Sequence, residues 1–190
     1  MKTIKTERLI LRDWDVGDVD DLYEYASNPN VGPNGSWKPH ESKTESLEIM
    51  QTLFINKYDS WAIVYKENGK VIGSIGYELD TKRPGINCRE LGYALSEDYW
   101  GKGIMPVAAK AVIRYGVEEM GLDMVTVYRS PYNKRSGRVI EKSGFNCEGT
   151  LRNANKVYDG SIRDVMCYSM IKEEYQELKK RDAQSPQKGR

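Results

Sequence analysis

The sequence has a single histidine, His40. Standing alone, it leaves no usual histidine-based zinc site and no Ser-His-Asp triad, so no metal is expected. The cysteines are nearly as sparse. Cys88, Cys147 and Cys167 are odd in number and show no C-x-x-C spacing. They read as small buried apolar residues in a reducing compartment rather than as disulfide partners. No stretch approaches the roughly 18 apolar residues of a membrane span. The opening MKTIKTERLILRDW is interrupted by Glu7, Arg8, Arg12 and Asp13 and so has no signal-peptide core. A cytoplasmic location with no membrane partner is expected. Nor is there an excess of either charge: 29 basic and 28 acidic residues leave a net +1, with no global pull toward nucleic acid. Internal repeats are absent. Chemistry therefore falls to carboxylates, hydroxyls, amides and backbone groups.

What is present is a globular balance of 39% hydrophobic and 30% charged residues over 190 positions, enough for one domain with a sizeable core. A domain over 1–180 and a polar tail over 181–190 are expected. Residues 28–40 hold three prolines and two glycines and read as a loop of about a dozen residues. Such a loop is either a binding lid or a plain connection between helices. Strands are predicted at 7–14, 61–65, 70–79, 90–95, 124–129, 145–152 and 162–170. Helices are predicted at 18–27, 43–58, 104–120 and 133–143. Asn68-Gly69 marks a hairpin and Asp159-Gly160 a turn. In the third helix Ile104, Val107, Ala108, Ala111, Val112 and Tyr115 fall on one stripe. The pattern is α/β, and its early hairpin and late strand pair exclude a purely parallel wound sheet.

The central signal is GYALSEDYWGKGIMPVAAK, residues 92–110. A strand ends, the chain turns through Gly101 and Gly103, and a helix begins with Pro106 in its first turn, where the missing N–H does no harm. Glycine permits positive φ and close approach of a ligand to the backbone. The amides of Gly101, Lys102, Gly103, Ile104 and Met105 then surround the positive end of a helix, an arrangement suited to a pyrophosphate. Lys102 could add a charged contact. Alone, a short G-x-G is equally an ordinary strand-to-helix turn. It is neither a nucleotide P-loop nor the dinucleotide fingerprint.

A second signal follows in SPYNKRSGRVIEKSGF, residues 130–145. Asn133 and Ser136 lie one above the other on the first turn of a helix that stops at Gly144. Asn133 either caps that helix or offers its amide to a ligand.

Together WGKGIM and N-x-x-S-x-x-x-x-E-K-S-G-F resemble the Gcn5-related N-acetyltransferase (GNAT) superfamily, and most of all its RimJ/RimL-like branch, which acetylates ribosomal-protein N-termini. TERLILRDW, GSIGY, ELGYALSEDYWGKGIM and GTLR…DG…DVMCYSM match that branch in order, over residues 6–174. The resemblance implies a GNAT fold: a single-domain, mixed, V-shaped split sheet of about seven strands with flanking helices. It implies that the strand at 93–95 parts from the strand at 125–129 and that acetyl-CoA lies between them. The pantetheine would pair with backbone near Ala94 and Leu95, the pyrophosphate would sit on the amides that follow Trp100, and Asn133 would bind the pantetheine side. Trp100 and Met105 depart from the superfamily's usual residues at the two ends of the phosphate loop.

The implied reaction is transfer of an acetyl group to a primary amine, a protein or peptide N-terminal α-amine by the branch resemblance. A polyamine, an aminoglycoside or an amino acid is an alternative acceptor, and a non-catalytic acyl-CoA-binding module is a further reading. Such a transfer needs a neutral amine, a polarised thioester and a protonated leaving thiolate. Glu90 is the candidate base, through water, although a surface ion pair with Arg89 would explain it equally. Ser136 is the candidate proton donor to the thiolate, with Tyr93, Tyr128 and Tyr132 as alternatives. Some relatives carry a carboxylate near the strand that here holds Asn155. The acceptor end is expected to be built from the loop 28–40 and the turn 157–161. The chain is expected to act as a monomer or homodimer.

Overall fold

The computed structural model describes residues 2–55 and 59–184. One eight-stranded sheet runs through it, in the order β1-β2-β3-β4-β5-β6-β8-β7. The strands are β1 (Ile4–Lys5), β2 (Leu9–Arg12), β3 (Ser60–Tyr65), β4 (Val71–Leu79), β5 (Cys88–Leu95), β6 (Met124–Arg129), β7 (Asn146–Lys156) and β8 (Ile162–Ile171). The strand beyond the predicted seven is β1, whose two residues are too few to carry an alternating pattern. Gly69, at φ 73°, closes the β3–β4 hairpin at the predicted Asn68-Gly69, and Gly160, at φ 83°, closes the β7–β8 turn. All neighbours are antiparallel except β5 and β6.

That parallel pair is brief. Its register joins Cys88 to Met124, Arg89 to Val125 and Glu90 to Thr126, and goes no further. Beyond Glu90, β5 stays on β4 through Leu95, while β6 stays on β8 through Arg129. The sheet therefore splits into two arms with Glu90 at the apex. The split starts after Thr126, so Val125 is still inside the closed part.

Helices cover both faces. On one lie α3 (Ile104–Glu118) and α4 (Lys134–Ser143), packed over Ile75, Leu91, Val125 and Val127. On the other lie α1 (Val19–Ala26) and α2 (Lys43–Leu53), packed over Ala62, Val64 and Val71. The helix predicted over 43–58 ends at Leu53, and residues 56–58 lie outside the described residues. A last helix, α5 (Lys172–Gln184), runs past the predicted start of the tail. Its sequence contains neither Gly nor Pro, and nothing local stops it before Gln184. The tail from 185 on lies outside the described residues.

The stripe predicted on α3 is turned by part of a residue. Ile104, Met105, Ala108, Ala109, Val112, Ile113, Gly116 and Val117 are buried, whereas Val107, Ala111 and Tyr115 are only partly so. Small residues set that rotation by letting the helix approach the sheet closely. A Cβ on Gly116 would lie 2.4 Å from the Tyr77 hydroxyl, which donates to the Val112 carbonyl at 2.9 Å. Gly116→Ala should therefore lower stability by about 1–3 kcal/mol through overpacking, despite alanine's advantage of about 1 kcal/mol in a helix. A urea midpoint equal to the parent's would count against this packing.

Candidate active site

The site begins where β5 runs out. After a single turn at Glu97–Tyr99 the chain passes Gly101 at φ 76° and Gly103 at φ 70° and enters α3. A Cβ at Gly101 would meet nothing, so it is the backbone angle that requires glycine there. No side chain caps α3. Among the described residues, no turn or cap bond engages the N–H of Gly101, Lys102, Gly103, Ile104 or Met105. The first N–H groups of a helix also have no intrahelical acceptor, so a row of donors faces outward at the positive end of the helix. The side chain of Met105 is buried in the core and leaves that row unobstructed.

Three cations rim the loop. Lys102 is in the motif itself, its ammonium 5.2 Å from the Tyr99 ring. The motif does not reveal the other two. Arg8 Nη1 donates to the Lys102 carbonyl at 3.0 Å from 94 residues away, and Arg135 lies 4.1 Å over the Trp100 ring. Trp100 is held in turn by its Nε1, which donates to the Leu95 carbonyl at 2.9 Å.

Of the two strand residues expected to pair with pantetheine, Ala94 does not face the notch. Ser96 N donates to Ile72 O at 2.8 Å, and a Cβ on Gly73 would lie 2.3 Å from the Ala94 carbonyl. Peptide groups alternate along a strand, so Ala94 turns its N–H and C=O toward β4. The groups that face the notch belong to Tyr93 and Leu95. With the Leu95 carbonyl taken by Trp100, its N–H is the strand donor at the mouth.

Glu90 sits at the apex. Across the sheet it pairs with Glu78 on β4 and Thr126 on β6, and all three point to the α1/α2 face. Burial pushes its carboxyl up to about 7; Lys82 opposes this, and Glu78 and Asp80 reinforce it. The ion pair with Arg89 is not made: neighbours on a strand face opposite ways, and Arg89 Nη1 bonds the Cys88 carbonyl at 3.0 Å. A carboxylate that titrates near neutrality beside an open cleft is suited to taking a proton.

A family model for the acetyltransferase (GNAT) domain matches residues 8–146. The chain belongs to the GNAT acetyltransferase family. A relative from Bacillus licheniformis, named as the uncharacterized N-acetyltransferase p20, is 30% identical over 179 residues, 92% of this chain and 99% of its own. The [ribosomal protein uS5]-alanine N-acetyltransferase of Escherichia coli (strain K12) is 35% identical over 74 residues, 39% of this chain and 38% of its own. Two solved structures share the fold at lower identity. The ribosomal-protein-S5-alanine acetyltransferase of Vibrio fischeri superposes with TM-score 0.73 at 22% identity, over 92% of this chain and 99% of that one. A mutant of the spermidine N-acetyltransferase SpeG of Vibrio cholerae gives 0.70 at 18%, over 92% and 99%. The protein is thus an acyltransferase of a family that uses acetyl-CoA.

In this GNAT protein the opposite wall of the notch is the start of α4. Asn133 is its cap: Oδ1 accepts from Ser136 N at 3.0 Å, while Nδ2 donates to the Asn34 carbonyl at 3.3 Å. Ser136 Oγ lies 2.9 Å from the Tyr93 hydroxyl, so the two hydroxyls link β5 to the first turn of α4. Burial pushes the Tyr93 phenol up to about 12, with the Ser136 bond and Arg129 opposing, and keeps it protonated. Of the three tyrosines considered as donors, Tyr93 is the one brought to Ser136. Tyr128 bonds Asp80 at 2.6 Å, and Tyr132 is 84% exposed. The sequence carries a trace of this choice, since Tyr93 alternates with Leu91 and Leu95 on the face toward α3.

The loop over 28–40 and the β7–β8 turn do meet. Ser36 Oγ accepts from Asn155 Nδ2 at 2.8 Å, and the Ser36 carbonyl accepts from Tyr158 N at 3.3 Å. At its other end the loop is tied to the first arm through Glu97, whose Oε2 accepts from Asn28 and Asn30 at 2.8 and 2.9 Å. Those bonds hold the Glu97 carboxyl below its ordinary value. The loop is less irregular than its composition suggests, with a 3-10 turn at Gly32–Gly35 over which Trp37 packs. His40 is buried against Ser46, and burial lowers its pKa. All three cysteines are free, and Cys147 is exposed rather than buried, on an edge strand. No helix among the described residues is long and apolar enough to cross a membrane.

Proposed function

We propose that the chain transfers the acetyl group of acetyl-CoA to the α-amine of a peptide or protein N-terminus. The observation that carries this reading is the parting of β5 and β6 immediately beyond Glu90, which sets a carboxyl titrating near 7 at the apex of an open notch. Relatives named for ribosomal-protein alanine acetylation support the acceptor class. So does a notch mouth bordered by the loop over 28–40, which reaches the start of α4 through Asn34 and the end of β7 through Ser36.

In this mechanism the amides from Gly101 to Met105 hold the diphosphate, with Arg8, Lys102 and Arg135 at its rim. Asn133 turns its amide to the pantetheine, leaving the Asn34 carbonyl. The Leu95 N–H polarises the thioester oxygen. Glu90, through water, takes the proton that the amine sheds as its nitrogen bonds to the acetyl carbon. As the carbon–sulfur bond breaks, Ser136 gives its proton to the thiolate and takes one from the Tyr93 hydroxyl 2.9 Å away, and water in the notch reprotonates the phenol, so that neither hydroxyl is left as an anion.

Thiol release should be followed with peptides bearing free and blocked N-termini, beside spermidine. Mass spectrometry should find the acetyl group on the free α-amine. Acetylation of spermidine alone would refute the peptide assignment. Ser136→Ala should lower kcat by about 10²-fold, the scale of one acid catalyst, with acetyl-CoA affinity nearly unchanged. Tyr93→Phe should fall between that variant and the parent. A parental kcat in Ser136→Ala would remove the serine from the reaction.

A further inference from the structure

A cavity of about 410 Å³ opens on the second arm of the sheet, lined by Lys82, Arg83, Tyr128, Glu148, Gly149 and Leu151 among others. It lies on the same face as Glu90. The register places Glu78, Glu90, Thr126 and Ser169 in one row across the sheet, and Tyr128, Cys167 and Gly149 in the next. Two residues along a strand advance about 6.6 Å, so the cavity begins one step beyond the carboxyl at the apex.

The charges around it are unequal in availability. Asp80 is fully buried and saturated: it accepts from Thr126 Oγ1 at 2.7 Å, Tyr128 Oη at 2.6 Å and Lys82 N at 2.8 Å. Glu148 accepts from Ser169 Oγ at 2.7 Å through one oxygen and from Arg83 Nη2 through the other. Arg83 Nε is buried without a hydrogen-bond partner, 3.5 Å from Asp80. The Lys82 ammonium lies 3.9 Å from the centre of the Tyr128 ring and has no ion-pair partner among the described residues. On the cavity wall, then, Asp80 and Glu148 are held by donors and Arg83 is paired with Glu148, whereas the Lys82 ammonium is held only by the Tyr128 ring and the field of Glu90 one row back. Opposite Glu148 the β7–β8 register also shifts, opening the ladder at the cavity wall.

We infer that this cavity is an acceptor subsite that binds a carboxylate carried close to the reactive amine, with Lys82 as the specificity-determining cation and Arg83 beside it. The inference rests on the acetyl-transfer reading for which amine sits at Glu90, and it narrows the acceptor class to acidic ones. The carboxylate is either the side chain of an acidic residue near a peptide's N-terminus or the carboxylate of a free amino acid. Tyr128 gives the floor an aromatic surface for the intervening carbons.

The test uses the whole chain with CoA bound and titration calorimetry, so that binding is read apart from turnover. Matched peptides carry Glu, Gln or Lys at the second position, and free glutamate distinguishes the two sources. The Glu peptide should bind at least tenfold tighter than the Gln peptide, about 1.4 kcal/mol. Lys82→Met should abolish that preference, and Lys82→Glu should turn it toward the Lys peptide, with CoA affinity unchanged in both. Free glutamate binding as tightly as the Glu peptide would identify an amino acid as the source; weaker binding would identify a peptide. Equal affinity for the Glu and Gln peptides, binding of neither, or a preference that survives Lys82→Met would overturn the subsite. Discrimination without acetyl transfer to any peptide would uphold the subsite and refute the transfer reading instead.

Discussion

Glu90→Gln should lower kcat/KM by about 10²–10⁴-fold, the range a general base contributes, and should remove one limb of the pH profile. Glutamine keeps the shape and loses the proton acceptor. In the parent, burial raises the Glu90 carboxyl to about 7 against the pull of Lys82, with Glu78 and Asp80 adding to the rise. A base with that value is protonated below pH 7, so Glu90 by itself makes parental kcat/KM fall tenfold for each unit of further acidification. The acceptor's own α-amine titrates near 8 and adds a second acidic limb that the variant keeps. Only the difference between the two profiles belongs to Glu90. The substitution also replaces a carboxylate that is costly to bury, so the variant should fold at least as stably as the parent above pH 7. A loss of activity therefore cannot be assigned to unfolding when the thermal midpoint holds. Parental kcat/KM in Glu90→Gln would move the base elsewhere in the notch.

The fold was legible where chemistry is local. Gly69 at the predicted hairpin and Gly144 at the predicted helix stop each take the chain through positive φ. Asn133 caps α4 as its residue type suggests. What the sequence hid is held together by long-range contact. Arg8 reaches Lys102 over 94 residues, Lys82 meets Tyr128 across the cleft between a loop and the second arm, and Asn34 meets Asn133 over 99 residues. No periodicity encodes such meetings. The stripe on α3 was misplaced for a related reason. Its rotation is set by Gly116 fitting under Tyr77, a tertiary contact that hydrophobic spacing does not register. Glu90 was legible as a carboxylate in the right strand. Its shifted titration comes first from burial at the apex and then from Glu78 and Asp80 nearby, both of which only the folded sheet supplies.

The donor row at the start of α3 carries the largest expected change in cofactor affinity. Gly103 stands at φ 70°, and a Cβ there would have one neighbour, Arg8 Nη2 at 3.7 Å, so space is not what forbids a side chain. Asp and Asn both tolerate the left-handed region better than other residues and have nearly the same size. They differ in charge, and charge is the quantity under test. Gly103→Asn should weaken acetyl-CoA binding by about tenfold, the scale of one lost hydrogen bond. Gly103→Asp should weaken it by a further factor of about 100 at low salt. The carboxylate would repel the diphosphate and also draw Arg8 away from it, two effects of the same sign at short range. Raising the ionic strength should narrow the gap between the two variants, because an exposed charge is screened over about 8–10 Å. Calorimetry with acetyl-CoA at two salt concentrations measures all three quantities. Indistinguishable Asp and Asn variants would mean that no phosphate approaches residue 103, and the amides from Gly101 to Met105 would need another partner.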